Sequence, residues 1–216
     1  FEFSRASMTM AASWQAAMTV KLYESPHSRS DRVRWAMLEL DCAFESRSGH
    51  DLFGSDELKA VHPQGKLPAL EDDGRPLFES AAICTWLADK HADKGLIAPS
   101  GTWERALHDQ WTAFTLAELE AHLWSTARNI FIYPEEEREK VVIDQAVKEI
   151  RRGLEVFEKH LAEHDYMVAD RFSVTDIIVG FATNWAVSAK QTGDFPHVEA
   201  YNARLMARPL CHLSED

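Results

Sequence analysis

The sequence predicts an α/β N-terminal half followed by an all-α helical-bundle half, and three observations carry that expectation. Over residues 18–96 short β-type runs alternate with amphipathic helical runs, the mark of a βαβ arrangement. From residue 102 to 216 the apolar residues recur only at helical spacing. Between them, residues 95–101 gather Gly, Pro and Ser as a linker does.

In order along the chain, residues 1–17 are rich in Ser, Ala and Met and lack the cationic and apolar regions of a secretory signal, so they read as a leader outside the core fold. The first strand is expected at residues 19–23, on Val20, Leu22 and Tyr23, and ends in the turn Ser25-Pro26-His27-Ser28. A helix follows, with Val33, Ala36, Met37 and Leu40 on one face. A second short strand fits after Cys42-Ala43-Phe44-Glu45. Two extended runs, residues 67–71 and 76–79, flank the turn signal Asp72-Asp73-Gly74 and predict a hairpin. Ser80 is then expected to cap a helix carrying Ile83, Trp86 and Leu87.

In the second half, Trp103, Leu107, Trp111, Phe114 and Ala121 begin one long helix. Pro134 followed by Glu135, Glu136 and Glu137 suits the start of the next, since proline needs no N–H there and carboxylates favour the positive end of the helix dipole. Along it Ile143, Val147, Ile150, Leu154, Phe157 and Leu161 form a buried stripe. Ser173 opens another helix in a capping-box pattern with Asp176, whose role is structural. The last helix begins near Phe195-Pro196.

Composition narrows the function. A net charge of -12 without a local basic stripe argues against nucleic acid and anionic membranes as partners. No run approaches the ~20 apolar residues of a membrane span. The three cysteines, Cys42, Cys84 and Cys211, are far apart and read as buried thiols of a reducing, cytoplasmic compartment.

The motif Gly65-Lys66-Leu67-Pro68-Ala69-Leu70, then the hairpin, then Phe78-Glu79-Ser80-Ala81-Ala82-Ile83 carries the strongest chemical signal. A proline between strand residues lacks a ladder N–H and belongs in an edge or special bend. A carboxylate and hydroxyl at a helix N-terminus can grip an amino-acid head group. These residues resemble the cytosolic glutathione transferase superfamily over nearly the whole chain from Met18, with a G-x-(V/L)-P-A-L run on the third strand and E/Q-S-x-A-I opening the third helix. The resemblance implies a thioredoxin-like N-terminal domain that binds glutathione as co-substrate and an all-helical domain that contributes the site for a small hydrophobic electrophile. It implies that Leu67 exchanges backbone hydrogen bonds with the cysteinyl unit beside a cis Pro68. Glu79 and Ser80 would hold the γ-glutamyl end, and Lys66 the glycine carboxylate. It further implies a homodimer.

The turn Ser25-Pro26-His27-Ser28-Arg29-Ser30 supplies the activating group. A hydroxyl donor and the positive end of a helix raise the thiolate fraction of bound glutathione. Residue type selects Ser28 as catalytic; counting back from Val33 selects His27, kept as a neighbouring binding residue. A serine before a helix also caps it, which is the alternative role. The turn has no cysteine, which favours conjugation over thiol exchange and weakens a zeta-like isomerase or dehalogenase reading. A non-catalytic ligand carrier or translation-complex module on the same fold is the other alternative. His160-Leu161-Ala162-Glu163-His164 matches a metalloprotease pattern but ends an already amphipathic helix, so no metal is expected. Trp111, Phe114 and Trp124 are the candidate lining of the electrophile cleft.

Overall fold

A computed structural model describes residues 20–213; the expected leader, and the start of the first strand at Thr19, lie outside the described residues. Four strands, β1 (Val20–Tyr23), β2 (Glu45–Arg47), β3 (Ala69–Asp72) and β4 (Arg75–Phe78), form one sheet in the order β2-β1-β3-β4. β1 and β2 are parallel, and β3 runs antiparallel to both β1 and β4. The parallel pair needs a crossover, supplied by α1 (Ser30–Glu39).

Side chains alternate across a strand, so β1 and β3 each serve two faces. Val20, Leu22 and Leu70 join Trp35 and Met37 of α1 and Ile83 and Leu87 of α3 (Ser80–Lys90) in the main core. Tyr23 and Ala69 point the other way and pack with Leu52, and with Leu58 and Val61 of α2 (Asp56–Val61). That one-and-a-half-turn helix, capped by Ser55 accepting from the Leu58 N–H, has no counterpart among the predicted elements, because six residues are too few to show a period.

The helical half begins with α4 (Trp103–Phe114), which runs without a break through a widened π-type turn (Thr115–Glu120), α5 (Ala121–Ala127) and a second widened turn (Arg128–Ile132). The Thr115 hydroxyl donates to the Trp111 carbonyl at 2.7 Å, competing with the backbone ladder where the first widening starts. Against that turn packs Gly153 of α6 (Lys140–Leu161): a Cβ there would lie 2.7 Å from the Glu118 carbonyl oxygen, so only glycine permits the approach. α6 starts later than the Pro134 signal predicts. Pro134 instead introduces a single 3₁₀ turn (Glu135–Glu137), and the Glu139 N–H donates to Asn129 Oδ1, holding the intervening chain off the helix.

α7 (Val174–Ser188) is the buried axis of this half and carries the expected capping box. The Asp176 carboxylate, fully buried, accepts from the Ser173 and Met167 N–H groups, the Ser173 hydroxyl and the Tyr201 hydroxyl. Burial pushes its pKa up to about 6 against the pull of these donors. α8 (Pro196–Met206) closes the bundle with proline at its start. The four strands with their helices and the following all-helical bundle match the two-part architecture expected from the sequence.

Candidate functional site

Strand pairing brings three sequence-distant segments to one end of the sheet. Tyr23 pairs with Ala69, so the turn that leaves β1 lies beside Leu67-Pro68, which enters β3. Ala69 also pairs with Phe78, so Glu79-Ser80, leaving β4, lies there too. Each of the seven candidate residues, His27, Ser28, Lys66, Leu67, Pro68, Glu79 and Ser80, belongs to one of these segments.

Leu67 and Pro68 precede the first ladder pair, and the bond between them is cis, as the resemblance implied. No strand takes the Leu67 backbone, which leaves it open to an extended ligand. Lys66 is exposed at the rim. Glu79 is exposed and takes a φ of 72°, rare for a residue with a side chain and costly by about 1–3 kcal/mol, the kind of strain that gathers at ligand sites. Nearby the His62 ring meets the Phe78 ring at 5.1 Å, tilted by 49°, and burial lowers the His62 pKa against the opposing charge of Glu79.

Ser80 does not cap α3, contrary to expectation. It is the first helical residue, 5% exposed, and its oxygen accepts from Arg32 Nη1 at 2.9 Å. Its own hydroxyl proton is therefore free to be given to a ligand acceptor. Arg32 lies wholly inside, on the apolar face of α1, with Nη2 on Glu120 and its guanidinium carbon 4.7 Å from the Phe181 ring. Glu120, 3% exposed, also accepts from Arg29 Nε. Burial pushes the Glu120 pKa up, but the charges of Arg32 and Arg29 offset this and hold it below the usual range, so it stays ionised. One carboxylate of the helical half thus anchors both the start of α1 and, through Arg32, the hydroxyl of Ser80. Sequence reading missed this pair. The available signal was Arg32 itself, which shares a helical face with Ala36 and so requires a buried anion.

In the first turn Glu24, 4% exposed, is tied to Arg34 and Ser46, which fixes where the chain leaves β1. His27 is exposed with a φ of 57°. The Ser28 hydroxyl is partly buried, donates to the Ser25 carbonyl at 2.6 Å or to Ser30 Oγ at 2.9 Å, and accepts from the Ser30 N–H at 3.1 Å. It therefore closes the turn ahead of α1 as a cap does, and its proton has two local acceptors to choose between.

Of the expected cleft aromatics, only Trp124 reaches this neighbourhood, 5.1 Å from the Arg29 guanidinium. Trp111 is buried against Phe157 and His160, and Phe114 packs on both Trp111 and Phe157, so these two rings build the interior of the bundle. Trp185, which was not among the expected lining residues, lies 5.4 Å from the Arg29 guanidinium and meets the Trp124 ring at 6.5 Å.

Comparison with known proteins agrees with the two-part fold. Residues 22–95 match the family "Glutathione S-transferase, N-terminal domain", and residues 119–209 the family "Glutathione S-transferase, C-terminal domain". The chain is 33% identical over 166 residues to probable elongation factor 1-gamma 2 of Arabidopsis thaliana, covering 72% of the chain but only 38% of that relative. It is 31% identical over 161 residues to glutathione S-transferase 1 of Zea mays, covering 68% of the chain and 71% of the relative. Among solved structures, the theta class glutathione S-transferase of Xanthomonas axonopodis pv. citri with glutathione bound superposes with a TM-score of 0.77 at 26% identity, over 90% of this chain and 95% of that one.

Proposed function

Because the chain belongs to the glutathione S-transferase family, we propose that it is an enzyme that conjugates the thiolate of glutathione to a small hydrophobic electrophile. The observation that carries this reading is the meeting of Ser28, the Leu67 backbone and Glu79-Ser80 at one end of the sheet. Glutathione lies along Leu67 beside Pro68, donating to and accepting from its backbone. The Glu79 carboxylate receives the γ-glutamyl ammonium, and the Ser80 hydroxyl donates to the γ-glutamyl carboxylate while Arg32 holds its oxygen. Lys66 meets the glycine carboxylate, and His27 stands at the mouth. The thiol releases its proton to solvent, and the Ser28 hydroxyl turns from the Ser25 carbonyl to donate a hydrogen bond to the thiolate left behind, aided by the N-terminus of α1. The thiolate then attacks the electrophile held between the two halves, and proximity supplies much of the rate.

The same reading places the boundary between residues 18–96 and 102–216, and a second copy of the chain against the exposed Phe78 and Trp86, where Asp72, Arg75, Pro76 and Leu77 line an apolar hollow. The buried Cys42 and Cys84 thiols suit a reducing cytoplasm. No helix among the described residues is long and apolar enough to cross a membrane.

A second reading, a binding or assembly module without catalysis, draws on the elongation-factor relatives and on the local engagement of the Ser28 hydroxyl. Turnover with glutathione and 1-chloro-2,4-dinitrobenzene, alongside calorimetric glutathione binding, separates the two. Binding with conjugate formation is the expected result. Binding without any conjugate, across several neutral electrophiles, favours the module.

A further inference from the structure

Arginine and aromatic side chains alternate along the wall of the helical half next to Ser28. Trp185, Arg29, Trp124, Arg128 and Tyr133 follow one another with guanidinium-to-ring distances of 5.4, 5.1, 5.9 and 5.6 Å. Spacing explains part of it: Trp124 and Arg128 stand four residues apart on one helical rod, and Arg29 crosses from the first turn to meet them.

The charge balance here is unusual for so acidic a chain. Arg29 and Arg32 share the carboxylate of Glu120, and Arg128 has no part in that pairing. Arg29 spends only Nε on it, and neither Nη group bonds to any described residue, with its side chain 30% exposed. Arg128 makes no ion pair with any described residue, and its buried Nε has no hydrogen-bond partner, although the acidic run Glu135–Glu137 follows closely in sequence. A guanidinium that is partly desolvated and left without an anion is costly. Stacking on Trp124 and Tyr133 recovers only part of that cost.

We propose that this ladder is the specificity wall of the co-substrate site, and that the favoured co-substrate carries an anionic group, a carboxylate or sulfonate, on a planar aromatic body. The inference rests on the transferase reading above and narrows it. A bound thiolate and a net charge of -12 both repel a second anion, so an anionic electrophile enters beside the sulfur only where local cations offset that field. Arg128 and the free Nη groups of Arg29 provide them, in the planar geometry that suits carboxylate and sulfonate oxygens. Trp124 and Trp185 provide the faces and edges for the ring.

The test compares naphthalene-2-sulfonate with its neutral analogue naphthalene-2-sulfonamide by calorimetry. Both are titrated into the full chain with and without S-methylglutathione, an unreactive stand-in for the co-substrate. The expected result is a preference of about tenfold or more for the sulfonate, falling with added salt. Arg128→Gln should remove most of that preference and Arg128→Lys restore part of it, with thermal melts confirming that both variants fold. Equal binding of the two probes by the wild type, or an unchanged preference in Arg128→Gln, overturns the proposal. The two failures are distinguishable: a sulfonate preference without S-methylglutathione binding would sink the transferase reading and with it the assignment of the ladder to a co-substrate site, whereas S-methylglutathione binding without a sulfonate preference would sink this inference alone.

Discussion

Two helix N-termini in this molecule carry the same pair of groups, a serine hydroxyl and a carboxylate, and use them in opposite ways. At α7, Ser173 and Asp176 face each other and two other elements, and four donors converge on one buried carboxylate. At α3, Glu79 is exposed, takes a φ of 72° and accepts no hydrogen bond at the cap, while the Ser80 oxygen is turned inward to Arg32. The first arrangement saturates its carboxylate with donors from the protein and holds the bundle together. The second leaves its carboxylate exposed and without a cap hydrogen bond, the capacity the proposed function gives to a ligand. Residue type alone does not separate the two; whether the protein itself saturates the carboxylate does.

The contrast is sharpest in stability. Asp176→Ala strands two N–H groups and the Tyr201 hydroxyl in the interior, and denaturant unfolding should show a loss of about 4 kcal/mol, with glutathione affinity of the folded fraction unchanged. Glu120→Gln belongs to the open arrangement and leaves Arg29 and Arg32 without their anion. It should cost about 3 kcal/mol and also weaken glutathione binding, because Arg32 no longer fixes Ser80; an effect on stability alone would break the link drawn between Glu120 and the site.

The two carboxylates should also titrate with opposite signs. Burial raises the folded-state pKa of Asp176 to about 6, above the unfolded value near 3.9, so the folded chain keeps this proton longer. Its contribution to stability is full below about pH 4 and declines by about 2 kcal/mol as pH rises to 6. Comparing wild type with Asp176→Asn over that range isolates it, the wild type losing ground as pH rises. Glu120, held below its ordinary range by two arginines, contributes stability at neutral pH that is lost on acidification.

The smallest effect is the most diagnostic. Glu79→Gly relieves the strained backbone and should stabilise the free protein by about 1 kcal/mol while lowering glutathione affinity. A gain in stability with unchanged affinity would show that the open N-terminus is not where the ligand's head group sits.

Much of this was legible in the sequence, for identifiable reasons. The hairpin turn at Asp73-Gly74, the apolar stripes of α1 and α6 and the Ser173–Asp176 box are local patterns, fixed by residues within one or two turns of each other. The cis bond at Pro68 was expected from the family resemblance that Gly65-Lys66-Leu67-Pro68-Ala69-Leu70 carries, and not from the local pattern by itself. The pairing of Arg32 with Glu120 spans 88 positions, and only the folded chain brings those residues together. Trp111 and Phe114 looked like cleft aromatics because their period serves a core and a binding wall alike; the approach of α6 at Gly153 decided for the core. The start of α6 was misplaced for a similar reason, since the Asn129 side chain that intercepts the Glu139 N–H lies ten residues back. In the first turn, His27 projects outward in a left-handed conformation while the Ser28 hydroxyl turns in toward the start of α1, a difference of backbone that residue counting does not reveal.

The most direct test of the proposed glutathione site is the ionisation of the sulfur bound there. Ultraviolet difference spectra of glutathione bound to the wild type and to Ser28→Ala, followed across pH, should show a thiolate in the wild type well below the pH at which free glutathione ionises, and a return toward the free value in the variant. Thiolate absorbance that is identical in the two proteins would contradict the role given to Ser28 and to the turn that carries it.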